Sequence, residues 1–304
     1  MLVYLAGRLL WIIPVLLGVS LITFLLMHLV PGGPWDMDKP LASEVVENLN
    51  RKYGLDKPVW LQYPVFLANI LRGDLGVSYT YQDRGVAEII LSGLPVTATL
   101  GLLAFLFSIL VGPPLGVLAA VRHNSWVDYV SVGLATVFAS IPGFVLGLIL
   151  ILVFAVGLRL LPTGGWGTVE QVLLPALALG ALPAAYNARI VRASVLDVLR
   201  QDYIRTARAK GLSETMVHSR HVLRNALIPL LTVLGPELAA LVTGSFIIET
   251  LFSIPGVGRF FIQAVFARDY ALIMGSVLFY ALVIALLNLI VDILYGIVDP
   301  RTRS

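Results

Sequence analysis

The sequence contains no cysteine, and Asp, Glu, Lys and Arg make up only 13% of its 304 residues, against 58% that are hydrophobic. The absence of cysteine excludes a disulfide framework and thiol chemistry. Soluble domains carry roughly a quarter charged residues, so this chain lacks the polar residues that coat a soluble fold. The composition therefore predicts a membrane protein, and its net charge of +3 gives no indication of a nucleic-acid partner.

Lysine is scarce, which bears on nucleotide binding. A Walker A loop ends in Gly-Lys-Ser/Thr, and none of the four lysines follows a glycine. His218 and His221 are three residues apart, but no cysteine or carboxylate pattern typical of a metal site accompanies them. We therefore expect no catalytic residue, cofactor site or metal site in this chain.

Long apolar runs account for most of the hydrophobic residues. Each run is close to the roughly 20 residues that a helix needs to cross the hydrocarbon, and none shows the alternation of a barrel strand. We predict an all-α membrane protein with six transmembrane helices, at Leu9–Val30, Val96–Val121, Val130–Val156, Val172–Ala193, Leu227–Ile248 and Leu272–Val298.

The distribution of basic residues predicts the orientation of these helices. Lysine and arginine are retained on the cytoplasmic side of a membrane during insertion. Arg122 lies between the second and third runs, and eight basic residues lie between Arg189 and Arg224. If these loops are cytoplasmic, both chain termini lie inside.

The chain is predicted to have three parts. Residues 1–30 form a transmembrane anchor, residues 31–95 an external helical insertion, and residues 96–304 a five-helix core with a cytoplasmic loop at 194–226. The insertion carries helix start and stop residues that predict two helices, one from Ser43 to Gly54 and one from Pro58 toward Leu71.

The cytoplasmic loop contains a short predicted helix, Tyr203–Lys210, with Asp202 as its cap and Gly211 as its stop. Eight residues are too few for a stable isolated helix, so this one must pack against something. Its side chains are both cationic and apolar, which fits a protein interface. The alternative is that the charges only determine topology.

The same loop resembles the cytoplasmic signature of binding-protein-dependent ABC importer permeases: Glu-Ala-Ala, three residues, Gly, nine residues, Ile-x-Leu-Pro. Ala207, Gly211 and Leu223 match this signature, whereas Arg205, Thr206, His221 and Arg224 depart from it. The departures are similar to the dipeptide, oligopeptide and nickel permease family, first-subunit type. The likeness covers nearly the whole chain, including Tyr53-Gly54-Leu55, Gly73-Asp74-Leu75-Gly76, Leu161-Pro162, Glu249, Phe252, Pro255-Gly256 and Asp299-Pro300-Arg301.

This resemblance implies a type I ABC importer permease that moves di- or oligopeptides across a bacterial or archaeal cytoplasmic membrane by alternating access. The implied partners are a homologous second permease, two cytoplasmic ATPases that hold ATP and Mg, an extracytoplasmic solute-binding protein and membrane lipid. The short helix would couple the ATPase to the spans through Tyr203, Arg205, Thr206, Ala207, Arg208, Lys210 and Gly211.

Two polar residues within the apolar runs are candidates for the translocation pathway. Glu237 lies near the middle of the fifth run, where a charged residue costs roughly 2.5–3.5 kcal/mol on insertion scales. It either contacts a cationic cargo group, such as a peptide amine, or is a protonated or hydrogen-bonded carboxylate at the interface between permeases. Asn288, in the sixth run, is a weaker candidate.

The main alternative function is an ATP-independent secondary transporter or channel. Such a protein would need its own coupling-ion machinery, often in paired repeats with broken helices. The sequence shows no such repeats, and six spans are few for that class.

Overall fold

The computed structural model describes residues 2–35, 42–81 and 84–298. Helices dominate these residues, and the loops between them contain one isolated antiparallel bridge, between Val77 and Gly85. The helices are α1 Leu2–Leu29, α2 Ser43–Tyr53, α3 Val59–Leu71, α4 Val86–Val121, α5 Trp126–Ser140, α6 Gly143–Leu150, α7 Val169–Leu199, α8 Asp202–Ala209, α9 Glu214–Met216, α10 Leu223–Ala226, α11 Ile228–Val242, α12 Phe246–Leu251, α13 Val257–Phe266 and α14 Tyr270–Val298. Two π-helical segments, Ile151–Gly157 and Val217–Val222, follow α6 and α9.

The number of candidate spans depends on how two bent helix pairs are counted. Within the described residues, four helices are long and apolar enough to cross a membrane, and the number rises to six if each bent pair is one span. Six spans therefore agree with the hydropathy prediction. The second span begins ten residues earlier than predicted, because α4 is a 36-residue helix that starts at Val86.

The predicted third span is not one continuous helix. Its two halves, α5 and the segment Gly143–Gly157, are bent by 106°. The cause is Pro142, because proline disfavours the α conformation in the residue before it, and Ile141 is extended with φ −94° and ψ 122°. Ala135, Ala139, Gly143 and Gly147, which recur every four residues, therefore do not form one straight stripe.

The predicted fifth span is also interrupted near its end. The helix α11 stops at Val242, and Gly244 adopts a left-handed conformation with φ +83°. The Ser245 hydroxyl then accepts a hydrogen bond from the Ile248 amide at 3.3 Å and begins α12. The continuous helix predicted over Leu227–Ile248 was wrong at this end, because apolar composition carries no information on a single left-handed residue.

The two helices predicted within residues 31–95 are confirmed as α2 and α3. Gly54 has φ +69° and Gly73 has φ +79°, the conformation that ends a helix most easily at glycine. Pro58 precedes the first residue of α3. The division of the chain into residues 1–30, 31–95 and 96–304 stays a prediction, and the resemblance at Asp299-Pro300-Arg301 lies outside the described residues.

The chain folds into two compact units, one comprising Met1–Val96 and Pro255–Ile290 and the other Thr97–Ile254. In the second unit, α4 packs directly on the backbone of α7. A Cβ atom on Gly112 would lie 3.0 Å from Cβ of Asn187, and one on Gly116 would lie 3.0 Å from Cβ of Val191. These glycines thus allow the close helix approach expected of small residues in membranes.

Candidate functional site

The short helix α8 rests on a buried apolar cluster within the second unit. Ile204 is fully buried and Ala207 nearly so. These residues lie three apart, so they share one face of the helix. The buried residues of this cluster are Ala120, Val191, Val195, Ile204, Ala207, Val217, Val222, Ala226 and Leu230. The packing that an eight-residue helix needs is therefore supplied by α7 and by the segment that leads into α11.

The boundaries of α8 differ by one residue from the prediction. The helix runs over Asp202–Ala209, with Gln201 as the capping residue and no side-chain capping bond. Asp202 is thus the first helical residue, where a carboxylate is favoured by the helix dipole. Gly211 has φ +77°, which confirms it as the stop.

The opposite face of α8 is exposed and mainly cationic. Arg205 is 76% exposed and lies 3.4 Å from the exposed Asp202 carboxylate. Exposed ion pairs of this kind contribute little to stability. Arg208 donates from Nε and Nη2 to the two carboxylate oxygens of Glu214 at 2.8 and 3.1 Å. Thr206 and Lys210 are exposed beside them. The helix therefore presents two ion-paired arginines, a lysine and polar groups on the side away from the buried cluster.

Tyr203 and Gly211 complete the set of predicted coupling residues. The Tyr203 hydroxyl accepts a hydrogen bond from Nδ2 of Asn225 at 3.0 Å, which ties the start of α8 to α10. Tyr203 is nevertheless 42% exposed. Of the seven predicted coupling residues, Ala207 alone is buried, and it belongs to the base of the helix rather than to its exposed surface.

Glu237 is the centre of a polar cluster that joins three helices of the second unit. The Ser108 hydroxyl of α4 donates to Oε1 of Glu237. Nδ2 of Asn187, on α7, donates to Oε2 at 2.8 Å. Ser108 and Asn187 are fully buried, whereas Glu237 is half-buried. The carboxylate is thus hydrogen-bonded within its own chain, and a role in the pathway stays a prediction.

The second pathway candidate has a different environment. Asn288 lies on α14 with an exposed side chain. It belongs to the first compact unit, whereas Glu237 belongs to the second. A pathway role for Asn288 also stays a prediction.

An ion pair that sequence reasoning missed connects α5 and α7. Arg192 donates from Nε to Oδ1 of Asp128 at 2.7 Å and from Nη2 to Oδ2 at 2.9 Å. The Asp128 side chain is only 2% exposed, and its Oδ2 also accepts from the Asn124 backbone amide at 3.0 Å. Arg192 follows Val191 on α7, so this pair joins α5 to the helix that supports α8.

A second missed carboxylate organises a loop of the first unit. Oδ2 of Asp269 accepts hydrogen bonds from the Ser78 hydroxyl at 2.5 Å and from the amides of Tyr79 and Thr80 at 2.8 and 3.0 Å. Oδ1 accepts from the Leu272 amide at the start of α14. Burial raises the pKa of the Tyr79 hydroxyl above its usual range. An aspartate directly before a long apolar helix is a capping signal that could have identified this residue.

Comparison with known proteins identifies the family. Residues 112–304 match the family described as the binding-protein-dependent transport system inner membrane component, and residues 1–101 match the N-terminal family of the same membrane components. The chain belongs to this family. It is therefore an inner-membrane permease of a binding-protein-dependent transport system.

Curated relatives match the permease over nearly its whole length. The dipeptide transport system permease protein DppB of Bacillus subtilis is 41% identical over 288 residues, which cover 95% of this chain and 94% of that protein. The oligopeptide transport system permease protein OppB of Haemophilus influenzae is 40% identical over 305 residues and is matched over 100% of both chains. The predicted resemblance to this permease family is thus confirmed.

Solved structures show that the permease has the fold of ABC importer membrane subunits. An inward-facing structure of the MetNI methionine ABC transporter aligns with a TM-score of 0.58 and 22% identity, over 69% of this chain and 96% of that one. The predicted fold class is therefore confirmed, whereas the N-in, C-in orientation stays a prediction. The ATP-independent alternative is not supported by any of these similarities.

Proposed function

We propose that this permease moves di- or oligopeptides inward across the cytoplasmic membrane. Two relatives of similar length are named dipeptide and oligopeptide transport system permease proteins. In this proposal the permease pairs with a homologous second permease and receives its cargo from an extracytoplasmic solute-binding protein. ATP and Mg are held by two separate ATPase subunits, since this chain has no lysine in a Walker A context.

The arrangement of α8 supports the proposal that this helix couples the partner ATPases to the membrane spans. One face of this helix is buried on α7 and on the segment before α11, and the other face is exposed and cationic. A helix held in this way can be displaced by a partner only together with its buried base, because a packed interior transmits strain. A movement imposed on the exposed face would therefore reach α7 and α11.

The buried base of α8 and the Glu237 cluster lie along the same two helices. On α7, Val191 and Asn187 are four residues apart, which is one helical turn or ~6 Å. On α11, Leu230 of the buried base and Glu237 are seven residues apart, which is two turns or ~10 Å. A shift of α8 would thus act within a few turns on the hydrogen bond between Asn187 and Glu237, and we propose that ATP-driven closure controls this cluster.

Crosslinking tests the docking surface. We expect single cysteines at Arg205 and Thr206 to form disulfides with cysteines placed across the surface of the partner ATPase that receives α8, because both residues are exposed. The matched control is Ala207→Cys on the same helix, whose side chain points into the buried cluster. The lack of native cysteine keeps the background low.

The crosslinking pattern can also contradict the proposal. If no exposed position of α8 crosslinks in an assembled complex, the helix does not dock on the ATPase. Equal yields from Ala207 and Arg205 would show that the reaction reports loop opening rather than a defined interface.

A charge substitution tests Glu237 as a contact for a cationic cargo group. Glu237→Gln keeps an oxygen that can accept from Asn187 but removes the charge. A hydrogen bond to a charged group contributes roughly 1.5–3 kcal/mol. That free energy corresponds to about a tenfold or greater fall in uptake at limiting peptide concentration. Uptake by vesicles of the reconstituted transporter measures this effect.

The control for this substitution is Glu170→Gln, which makes the same chemical change at an exposed position at the start of α7. Coelution of all subunits in detergent confirms assembly of both variants. If Glu237→Gln takes up several peptides as fast as Glu170→Gln does, Glu237 is not part of the translocation pathway.

A further inference from the structure

The exposed face of α3 consists of apolar side chains. No residue of this 13-residue helix is charged. Seven of its residues are exposed, and six of them recur at intervals of three and four, so these six form one stripe along the helix: Trp60, Leu61, Pro64, Val65, Ala68 and Leu71. The seventh, Val59, is the first residue of the helix. Trp60 is 72% exposed and Leu71 89%. A surface helix of a soluble domain would present polar residues on this face.

The polar contacts of α3 are directed toward its own compact unit. Nε2 of Gln62 donates to the carbonyl oxygens of Lys57 at 2.8 Å and Leu55 at 3.4 Å. Oε1 of Gln62 lies 3.2 Å from Nε2 of His28, on α1. The polar side chains of the helix, Gln62, Tyr63 and Asn69, are thus half-buried, whereas its exposed face is apolar.

Contacts with α1 place α3 at a defined level along that candidate span, Leu10–Leu29. The Tyr63 ring lies 5.3 Å from the Phe24 ring, and its hydroxyl lies 2.9 Å from Oγ of Ser20. At 1.5 Å per residue, Phe24 is ~7 Å and Ser20 ~13 Å from the end of the span at Leu29. Tyr63 thus contacts α1 well inside the apolar stretch.

We infer that α3 is a membrane-boundary helix whose exposed stripe contacts lipid acyl chains. Interfacial helices are buried about 5–10 Å into the boundary between headgroups and acyl chains, which agrees with the level of the Tyr63 ring beside Phe24, while the Tyr63 hydroxyl extends further along α1 to Ser20. The adjoining α1, a candidate membrane span, also exposes apolar side chains, including Leu25 and Leu29. The external insertion then includes a lipid-bound helix that anchors it to the bilayer, whichever cargo the permease carries.

Spin labelling of the assembled transporter tests this inference. Single cysteines at Trp60, Val65 and Leu71 are labelled with a nitroxide and reconstituted in phosphatidylethanolamine–phosphatidylglycerol vesicles. Power saturation then compares collisions with oxygen, which partitions into lipid, and with a water-soluble nickel chelate. Leu25→Cys on α1 is the lipid reference, and Glu44→Cys, exposed on α2, is the aqueous reference.

We expect an oxygen-to-nickel collision ratio severalfold higher at Trp60, Val65 and Leu71 than at Glu44, and close to that at Leu25. A ratio equal to that at Glu44 would place the stripe in water and overturn the inference. Low accessibility to both reagents would show that a protein covers the stripe, which also overturns it. Three independent sites guard against misfolding of one variant, and monodisperse elution confirms the fold of each.

Discussion

Replacing Arg192 with alanine is expected to destabilise the folded permease by about 3–5 kcal/mol, the effect of removing one partner of a buried ion pair. The reason is Asp128, whose carboxylate is 2% exposed and receives two hydrogen bonds from Arg192. Without the guanidinium this charge stays buried beside His123 and the Asn124 amide. The thermal midpoint, the temperature at which half of the protein in detergent is no longer monodisperse, should fall by about 10 °C.

A matched control separates this effect from a general loss of arginine. Arg189 is exposed on the same helix, so Arg189→Ala should change the thermal midpoint little. Combining Arg192→Ala with Asp128→Asn should recover part of the loss, because the double variant leaves no unpaired charge. Equal midpoints for Arg192→Ala and Arg189→Ala would mean that the pair contributes nothing to the fold.

Truncating Ile204 to alanine is expected to uncouple the transporter. Ile204 is fully buried in the cluster beneath α8, and an isoleucine-to-alanine change in such a place costs about 2–5 kcal/mol. An eight-residue helix has no intrinsic stability to compensate, so α8 should detach from α7 while the partner ATPases remain active. Peptide uptake per ATP hydrolysed should fall by about tenfold or more, since each 1.4 kcal/mol corresponds to a factor of ten.

The control is Ile204→Val, which removes one methylene and costs about 0.5–1.5 kcal/mol. Uptake and ATP hydrolysis are measured in the same vesicles, with the thermal midpoint as a check on folding. Ile204→Ala could lower the thermal midpoint and still give normal peptide uptake per ATP hydrolysed. That result would show that the packing of α8 stabilises the fold without transmitting motion.

Local sequence signals predicted α8 well because its boundaries depend on neighbouring residues. Gly211 ends the helix through its own left-handed backbone, and Asp202 marks its start within one residue. Hydropathy likewise predicted the spans, since composition alone determines whether a run is stable in lipid. It did not predict the 106° bend between α5 and α6, because an apolar run specifies burial in lipid but not helix direction.

The sequence could not predict which residues distant in the chain form hydrogen-bonded pairs. Asp128 and Arg192 are 64 residues apart, and Ser108 and Glu237 are 129 apart. Single charges in apolar runs indicate that each needs a partner, but many candidates satisfy that need. The pairing is determined by which helices meet, α5 and α7 for Asp128 and Arg192, and α4 and α11 for Ser108 and Glu237.

The sequence by itself determined that this protein is a helical membrane protein with a short helix between two spans, because composition, hydropathy and local stop signals act over a few turns of chain. Only the tertiary structure decided which side of α8 is buried and which partners hold Asp128 and Glu237. It also decided which residues of α3 are exposed, and these form an apolar stripe. These features depend on which helix faces meet, and that is settled by packing between residues that are distant in the chain.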